Sequence, residues 1–180
     1  MIQHATRSRL SLRRLQFLAA VGVLAVMPLL RQWLPLTSPQ PAATDWTIQT
    51  VHDGDTVTAI GPDGRTEKVR LLGIDAPEYR QPHGREARAA LAEKLRGRSV
   101  RLESRGRDRY DRLLAVLRVG DRNLNEELVA EGHAWVFDRF RPPAGLAAAQ
   151  QAARRERRGL WAAADPLRPA DWRKAHPRQR

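Results

Sequence analysis

Between Trp46 and Ile74 three β-prone runs are separated by two glycine-bearing turns, and this segment restricts the possible folds more than any other. Trp46 to His52 reads as one strand and Val57 to Ile60 as a second. Asp53-Gly54 lies between them, a dipeptide suited to the positive φ of a tight hairpin. Gly61-Pro62-Asp63-Gly64 closes the next hairpin, and Thr66 to Ile74 forms a third strand. From Arg85 to Arg96 the spacing turns helical, with Ala87, Leu91 and Leu95 on one face and Gly97 just past the end. Ser99 to Glu103 returns to strand character. Leu113 to Val119 is nearly all apolar and is expected to be covered on both faces. Asn123 to Glu131 reads as a short helix stopped by Gly132, and Ala144 to Arg158 as an Ala- and Arg-rich helix ending at Gly159.

Three strands, a helix, two strands and then helices predict an α+β, mainly β fold. The expectation is a five-stranded barrel of the oligonucleotide-binding (OB-fold) type with three helices packed outside it, offering a concave face to polyanions. No internal repeat interrupts this order.

The first 44 residues read differently. No acidic residue precedes Asp45, while Arg7, Arg9, Arg13 and Arg14 lead into an apolar run from Phe17 to Leu30, followed by Arg31, Trp33 and Leu34. A positive flank and an apolar core of this length match a secretory signal. With Arg31 reaching for the far interface and Trp33 at headgroup depth, the span to Leu36 becomes a single N-terminal membrane anchor. The anchor is the favoured reading and cleavage with secretion the alternative. In both, the remainder faces outward from the cytoplasmic membrane. Residues 1–44 are thus assigned to a cytoplasmic basic flank, an N-terminal hydrophobic helix and a linker, residues 45–162 to the folded domain, and residues 163–180 to a basic, Pro-rich tail expected to be mobile.

Charge narrows the partners. The net charge is +12, and beyond residue 44 there remain 27 Lys and Arg against 20 Asp and Glu. Only Lys68, Lys94 and Lys174 are lysines, so guanidinium groups dominate. A surplus of this kind favours nucleic acid or another polyanion. Cysteine is absent, which excludes thiolate metal sites, cysteine nucleophiles and disulfide frameworks.

Three segments carry more polar chemistry than a barrel needs. Asp53-Gly54-Asp55-Thr56 is, read alone, a solubilising turn. In Arg70-Leu71-Leu72-Gly73-Ile74-Asp75-Ala76-Pro77-Glu78, Arg70 shares strand parity with Leu72 and Ile74, so its stem is expected on the apolar side unless Gly73 marks a bulge. A buried guanidinium requires an anionic partner, and alone this run reads as a structural Arg–Asp pair. Asp108-Arg109-Tyr110-Asp111-Arg112 alone is a solvated loop. The combination says more. Asp55, Asp75 and Glu78 offer hard oxygen ligands suited to Ca²⁺ or Mg²⁺, and Arg70 and Arg112 offer rigid forks matched to phosphate. A cation, two arginines and a spare carboxylate are equipment for phosphodiester hydrolysis.

The DGDT, VRLLGIDAPE and DRYDR motifs, with LNEELVAEGHA at Leu124 to Ala134, resemble the staphylococcal-nuclease-like (thermonuclease) family over about Trp46 to Trp161. The resemblance implies a Ca²⁺-dependent nuclease acting on DNA and RNA and leaving 3′-phosphorylated ends. It implies Asp55 and Asp75 as carboxylate ligands of the cation and Ala76 as a ligand through its backbone carbonyl. It further implies Glu78 as the group that activates water, Arg70 and Arg112 on the scissile phosphate, and Tyr110 and Asp108 in the nucleotide-binding loop. No protein partner is implied, and a monomer is expected. One departure is Asp111, where the family commonly has glycine: aspartate tolerates left-handed backbone, but its charge stands next to Arg112 in sequence. Trp135, Phe137 and Phe140 are candidates for base stacking, with core packing the plainer role for Trp135 and Phe137. The alternative to an enzyme is a catalytically inactive OB-fold module that binds nucleic acid or another polyanion.

Overall fold

The computed structural model of the protein describes residues 45–137 and 145–177; the expected N-terminal anchor and Phe140 lie outside the described residues. In chain order the elements are β1 (Asp45–Val51), β2 (Thr56–Ile60), β3 (Thr66–Leu71), β4 (Ile74–Asp75) and α1 (Gly84–Leu95). There follow β5 (Val100–Arg107), β6 (Leu113–Val119), β7 (Arg122–Asn123), α2 (Leu124–Ala130) and β8 (Trp135–Val136). Helix α3 (Leu146–Arg155), a 3₁₀ turn (Gly159–Ala162) and α4 (Pro169–Ala175) complete the chain. Among the described residues no helix is long and apolar enough to cross a membrane.

The five longer strands close into a barrel. β3, β2, β1, β5 and β6 pair antiparallel in that order, and β3 then meets β6 in parallel, with Val69 opposite Leu113 and Leu71 opposite Ala115. Closure removes the open edges that an isolated sheet of this size would present. Val57, Val69, Leu71, Val100 and Leu117 fill the barrel, and Leu91 from α1 and Leu124 and Leu128 from α2 cover it, all essentially inaccessible to solvent. Each such side chain contributes roughly 1.5–3 kcal/mol relative to exposure. The run Leu113 to Val119 is covered as expected, with Ala115, Val116 and Leu117 all buried. The helix predicted near Arg85 to Arg96 forms with Ala87, Leu91 and Leu95 inward.

Four expectations change. The first hairpin is not a two-residue Asp-Gly turn: residues 52–55 form the connection, and neither Asp53 nor Gly54 has positive φ. Glycine is needed at 54 for space, since a Cβ there would stand 2.7 Å from the Ala76 Cβ and 2.8 Å from the Ala87 Cβ. The third strand ends at Leu71, because Gly73 at φ 79° turns the chain before β4. That turn resets the side-chain alternation, so the burial of Ile74 does not report on Arg70. Arg70 instead leaves β3 on the face opposite buried Val69 and Leu71. Finally, the C-terminal segment is not a free tail, for Pro169 begins helix α4 and is buried.

Asn125 explains why the LNEELVAEGHA motif matters to the fold. Buried in α2, it accepts from the Leu117 N–H at 3.0 Å and donates to the Leu72 and Ala115 carbonyls at 2.9 and 3.2 Å. One side chain thus ties β6 to the turn that carries Gly73 and, beyond it, Asp75. Because Ala76 and Ala87 close on Gly54, Gly54→Ala is expected to cost about 1–3 kcal/mol of stability by overpacking, read as a lower urea midpoint with unchanged m-value.

Candidate active site

Two sequence-distant turns meet beside β3. Asp55 sits at the end of the β1–β2 connection, where its N–H bonds Asp53 Oδ1 at 3.0 Å and its carbonyl accepts from the Leu71 N–H at 2.8 Å. Its carboxylate is satisfied on both oxygens: the Thr56 hydroxyl donates to Oδ1 at 3.0 Å, and the Ala76 N–H donates to Oδ2 at 2.6 Å. Asp75 lies on β4, whose partner β8 places Trp135 opposite it. Arg70 spans the two aspartates. Its Nη2 is 3.1 Å from Asp55 Oδ2 and 3.1 Å from Asp75 Oδ1, while its Nη1 donates to the Leu71 carbonyl at 2.8 Å. The Arg70 side chain is 12% exposed and each aspartate side chain 7%.

Burial sets the electrostatics. Loss of solvent pushes the Asp55 carboxyl up to about 6, with the charge of Asp53 adding to the rise. Arg70 and the Ala76 and Thr56 hydrogen bonds work the other way. Asp75 is also raised, chiefly by burial, against hydrogen bonding from Arg173; the charge of Asp55 adds to the rise, and Arg70 opposes it. Two desolvated carboxylates so close together favour a cation between or beside them. The donor set fits a hard one, since Asp55, Asp75 and the neighbouring Ala76 carbonyl are all oxygen groups. Among the described residues no three acidic or imidazole side chains form a group that could hold a metal ion.

Glu78 follows Pro77 in the turn after β4. Its N–H donates to Gln81 Oε1 at 3.1 Å, and its Oε1 accepts from Arg173 Nη1 at 3.0 Å. Ion pairs thus link Asp55, Arg70 and Asp75 directly, and Glu78 joins them by way of Arg173, which also pairs with Asp75.

Arg112 belongs to a second group on the neighbouring strand. It stands just before β6, two residues ahead of Leu114, the residue paired with Arg70. Asp108 holds it through bonds to Oδ1 from the Arg112 N–H at 3.0 Å and to Oδ2 from Nε at 2.8 Å. Asp108 also accepts from the Tyr110 N–H at 2.9 Å. Burial opposes the Asp108 charge, but the bonds from Arg112 and Tyr110 outweigh it and hold its carboxyl below the usual range. The Asp108 carboxylate thus shapes the loop and orients Arg112. Tyr110 is 65% exposed, with Arg109 and Arg112 4.8 and 5.5 Å from its ring centre. Asp111 takes left-handed backbone at φ 61°, as its residue type permits, and its carboxylate faces Arg107 at 3.5 Å. Trp135 is buried edge-on against Trp161, ring centres 4.3 Å apart, in a satellite core.

Arg173 and Gln81 are site residues that the sequence did not disclose. Arg173 was one arginine in a tail already rich in them. Gln81, buried, joins the Glu78 loop to the C-terminal segment by donating from Nε2 to the Leu167 carbonyl at 2.7 Å.

The family model for "Staphylococcal nuclease homologue" matches residues 68–163. A protein of Haemophilus influenzae called "Uncharacterized endonuclease" is 37% identical over 124 residues, covering 69% of this chain and 70% of that protein. "Protein ParB" of Escherichia coli is 34% identical over 90% of this chain and 93% of its own length. "Probable staphylococcal-like nuclease CAN2" of rice is 34% identical over 61% of this chain and 30% of its own.

A titration follows from the buried pair. Asp55 moves from an ordinary value of 3.8 to about 6 on folding, so between about pH 4 and 6 the folded chain holds a proton that the unfolded chain releases. Its contribution to stability is present below pH 4 and lost as the pH rises through 6. In EDTA, the fall in Tm across this window is expected to be steeper for the wild type than for Asp55→Asn.

Proposed function

The chain belongs to the staphylococcal nuclease family, and from that premise we propose that it hydrolyses phosphodiester bonds of DNA and RNA with Ca²⁺ as cofactor, outside the cytoplasmic membrane. The observation that carries this reading is Arg70 bridging Asp55 and Asp75, which brings the DGDT and VRLLGIDAPE motifs to one point.

In this reading Asp55, Asp75 and the Ala76 carbonyl hold the cation, which supplies positive charge against phosphate oxygens. Arg70 is pinned by two carboxylates and a carbonyl, so its guanidinium is oriented before substrate arrives. Arg112, oriented by Asp108, approaches the phosphate from the neighbouring strand. Glu78 takes a proton from the attacking water as its oxygen bonds phosphorus. The P–O5′ bond breaks, the leaving oxygen takes a proton from solvent, Glu78 gives its own up to solvent, and a 3′-phosphate remains. Tyr110, exposed beside Arg109 and Arg112, meets the adjoining nucleotide. Asp111 directs its charge at Arg107, so the departure from glycine does not by itself argue for the inactive, polyanion-binding alternative.

Plasmid DNA and RNA are expected to be cut with added Ca²⁺ and left whole in EDTA. Glu78→Gln and Arg70→Ala are each expected to lower kcat by about 10²–10³-fold. Retained binding with no cleavage under any of these conditions would select the binding module. Affinity for either polymer is expected to fall as salt rises. The N-terminal run carries the localisation: intact mass of the protein from a membrane fraction is expected to include residues 1–44, and a mass lacking them would indicate the secreted form.

A further inference from the structure

Arg173 lies 98 residues from Asp75 in sequence, yet its guanidinium is bidentate to it, with Nη1 3.2 Å from Oδ1 and Nη2 2.9 Å from Oδ2. The same Nη1 bonds Glu78 Oε1 at 3.0 Å. Arg70 already occupies Asp75 Oδ1, so two guanidinium groups share this one carboxylate. Helix α4, which carries Arg173, spans seven residues and is too short to persist without tertiary contacts. The segment is held by buried Pro169, by the Gln81 bond to the Leu167 carbonyl, by Arg168 over the Trp135 ring at 5.2 Å and by Arg173 itself. A cavity of about 310 Å³ lies beside these contacts, lined by Pro77, Gln81, Pro82, Leu160, Pro166 and Leu167 and by no residue of α4. Arg173 is the residue by which α4 itself reaches the acidic site.

We propose that α4 is an intrasteric plug: Arg173 and a divalent cation compete for Asp75 and Glu78, so that cation binding releases the helix and a docked helix opposes the cation. This rests on the reading that Asp55 and Asp75 hold Ca²⁺. A cation needs carboxylate oxygens at about 2.3–2.6 Å. A guanidinium bidentate to the same carboxylate both occupies those lone pairs and repels the incoming charge. The linkage is reciprocal: the docked helix lowers cation affinity by the same factor by which the bound cation lowers docking.

The experiment is a calorimetric Ca²⁺ titration of the full-length protein, of Arg173→Ala, and of a chain ending at Arg168, which lacks α4 but keeps Leu167. Both variants are expected to bind Ca²⁺ about tenfold more tightly than the wild type, or better. Trp172 reports on the helix because its indole stacks on His176 with ring centres 3.8 Å apart. Ca²⁺ is expected to change wild-type fluorescence by an amount that Trp172→Phe abolishes. Equal or weaker Ca²⁺ affinity in both variants, with binding intact, would overturn the plug while leaving the nuclease reading in place. Absence of Ca²⁺ binding in all three proteins would overturn the Ca²⁺ assignment and the plug with it.

Discussion

Arg70 is the constraint on which the site depends. Asp55 and Asp75 arrive on separate turns, both stripped of solvent, and without a cationic group between them their charges would drive the turns apart. The guanidinium solves this with planar geometry, donating toward both carboxylates while a third bond to the Leu71 carbonyl fixes its plane. A lysine could supply the charge but not the fixed fork. The barrel does the rest: β3 carries Arg70, the β1–β2 connection brings Asp55, and the Gly73 turn swings Asp75 back toward both.

The two arginines are held in contrasting ways. Arg70 is deeply placed and shared by two acids, whereas Arg112 is partly exposed and pairs with one local acid, Asp108, four residues earlier. The first arrangement resists movement; the second lets a loop carry its arginine as a unit. The aspartate at 111 fits this loop because its backbone is left-handed there and its exposed carboxylate lies 3.5 Å from Arg107.

Most of the barrel was legible in the sequence because its strands are short, apolar and bounded by glycine, and because the helix over Gly84–Leu95 repeats its buried positions every four residues. The motif residues were legible as chemistry; Asp55, Arg70 and Asp75 meet directly, while Glu78 reaches them only through Arg173. What was hidden had physical causes. Gly73 changes handedness and so reverses which parity faces inward, a change that no count of apolar residues reveals. Gly54 looked like a turn residue, but its role is to admit two methyl groups from segments 22 and 33 residues further on. Arg173 was indistinguishable from its neighbours until the fold set α4 against Asp75. Short-range patterns encode strands and turns; contacts across a hundred residues leave no local trace.

The parallel seam between β3 and β6 has a consequence for the newly made chain. Every other long-strand pairing in the barrel is antiparallel, and three of those four join strands consecutive among the five. This one joins segments more than forty residues apart, a loop whose closure costs entropy before any contact repays it. A chain that has left the ribosome only as far as β5 already contains all three acids and Arg70, yet it has neither Arg112 nor the strand that locks β3 in place. Assembly of the full constellation must therefore wait until β6 has emerged. The seam makes completion of the site a late event, reached only once the strand that follows Arg112 has left the ribosome.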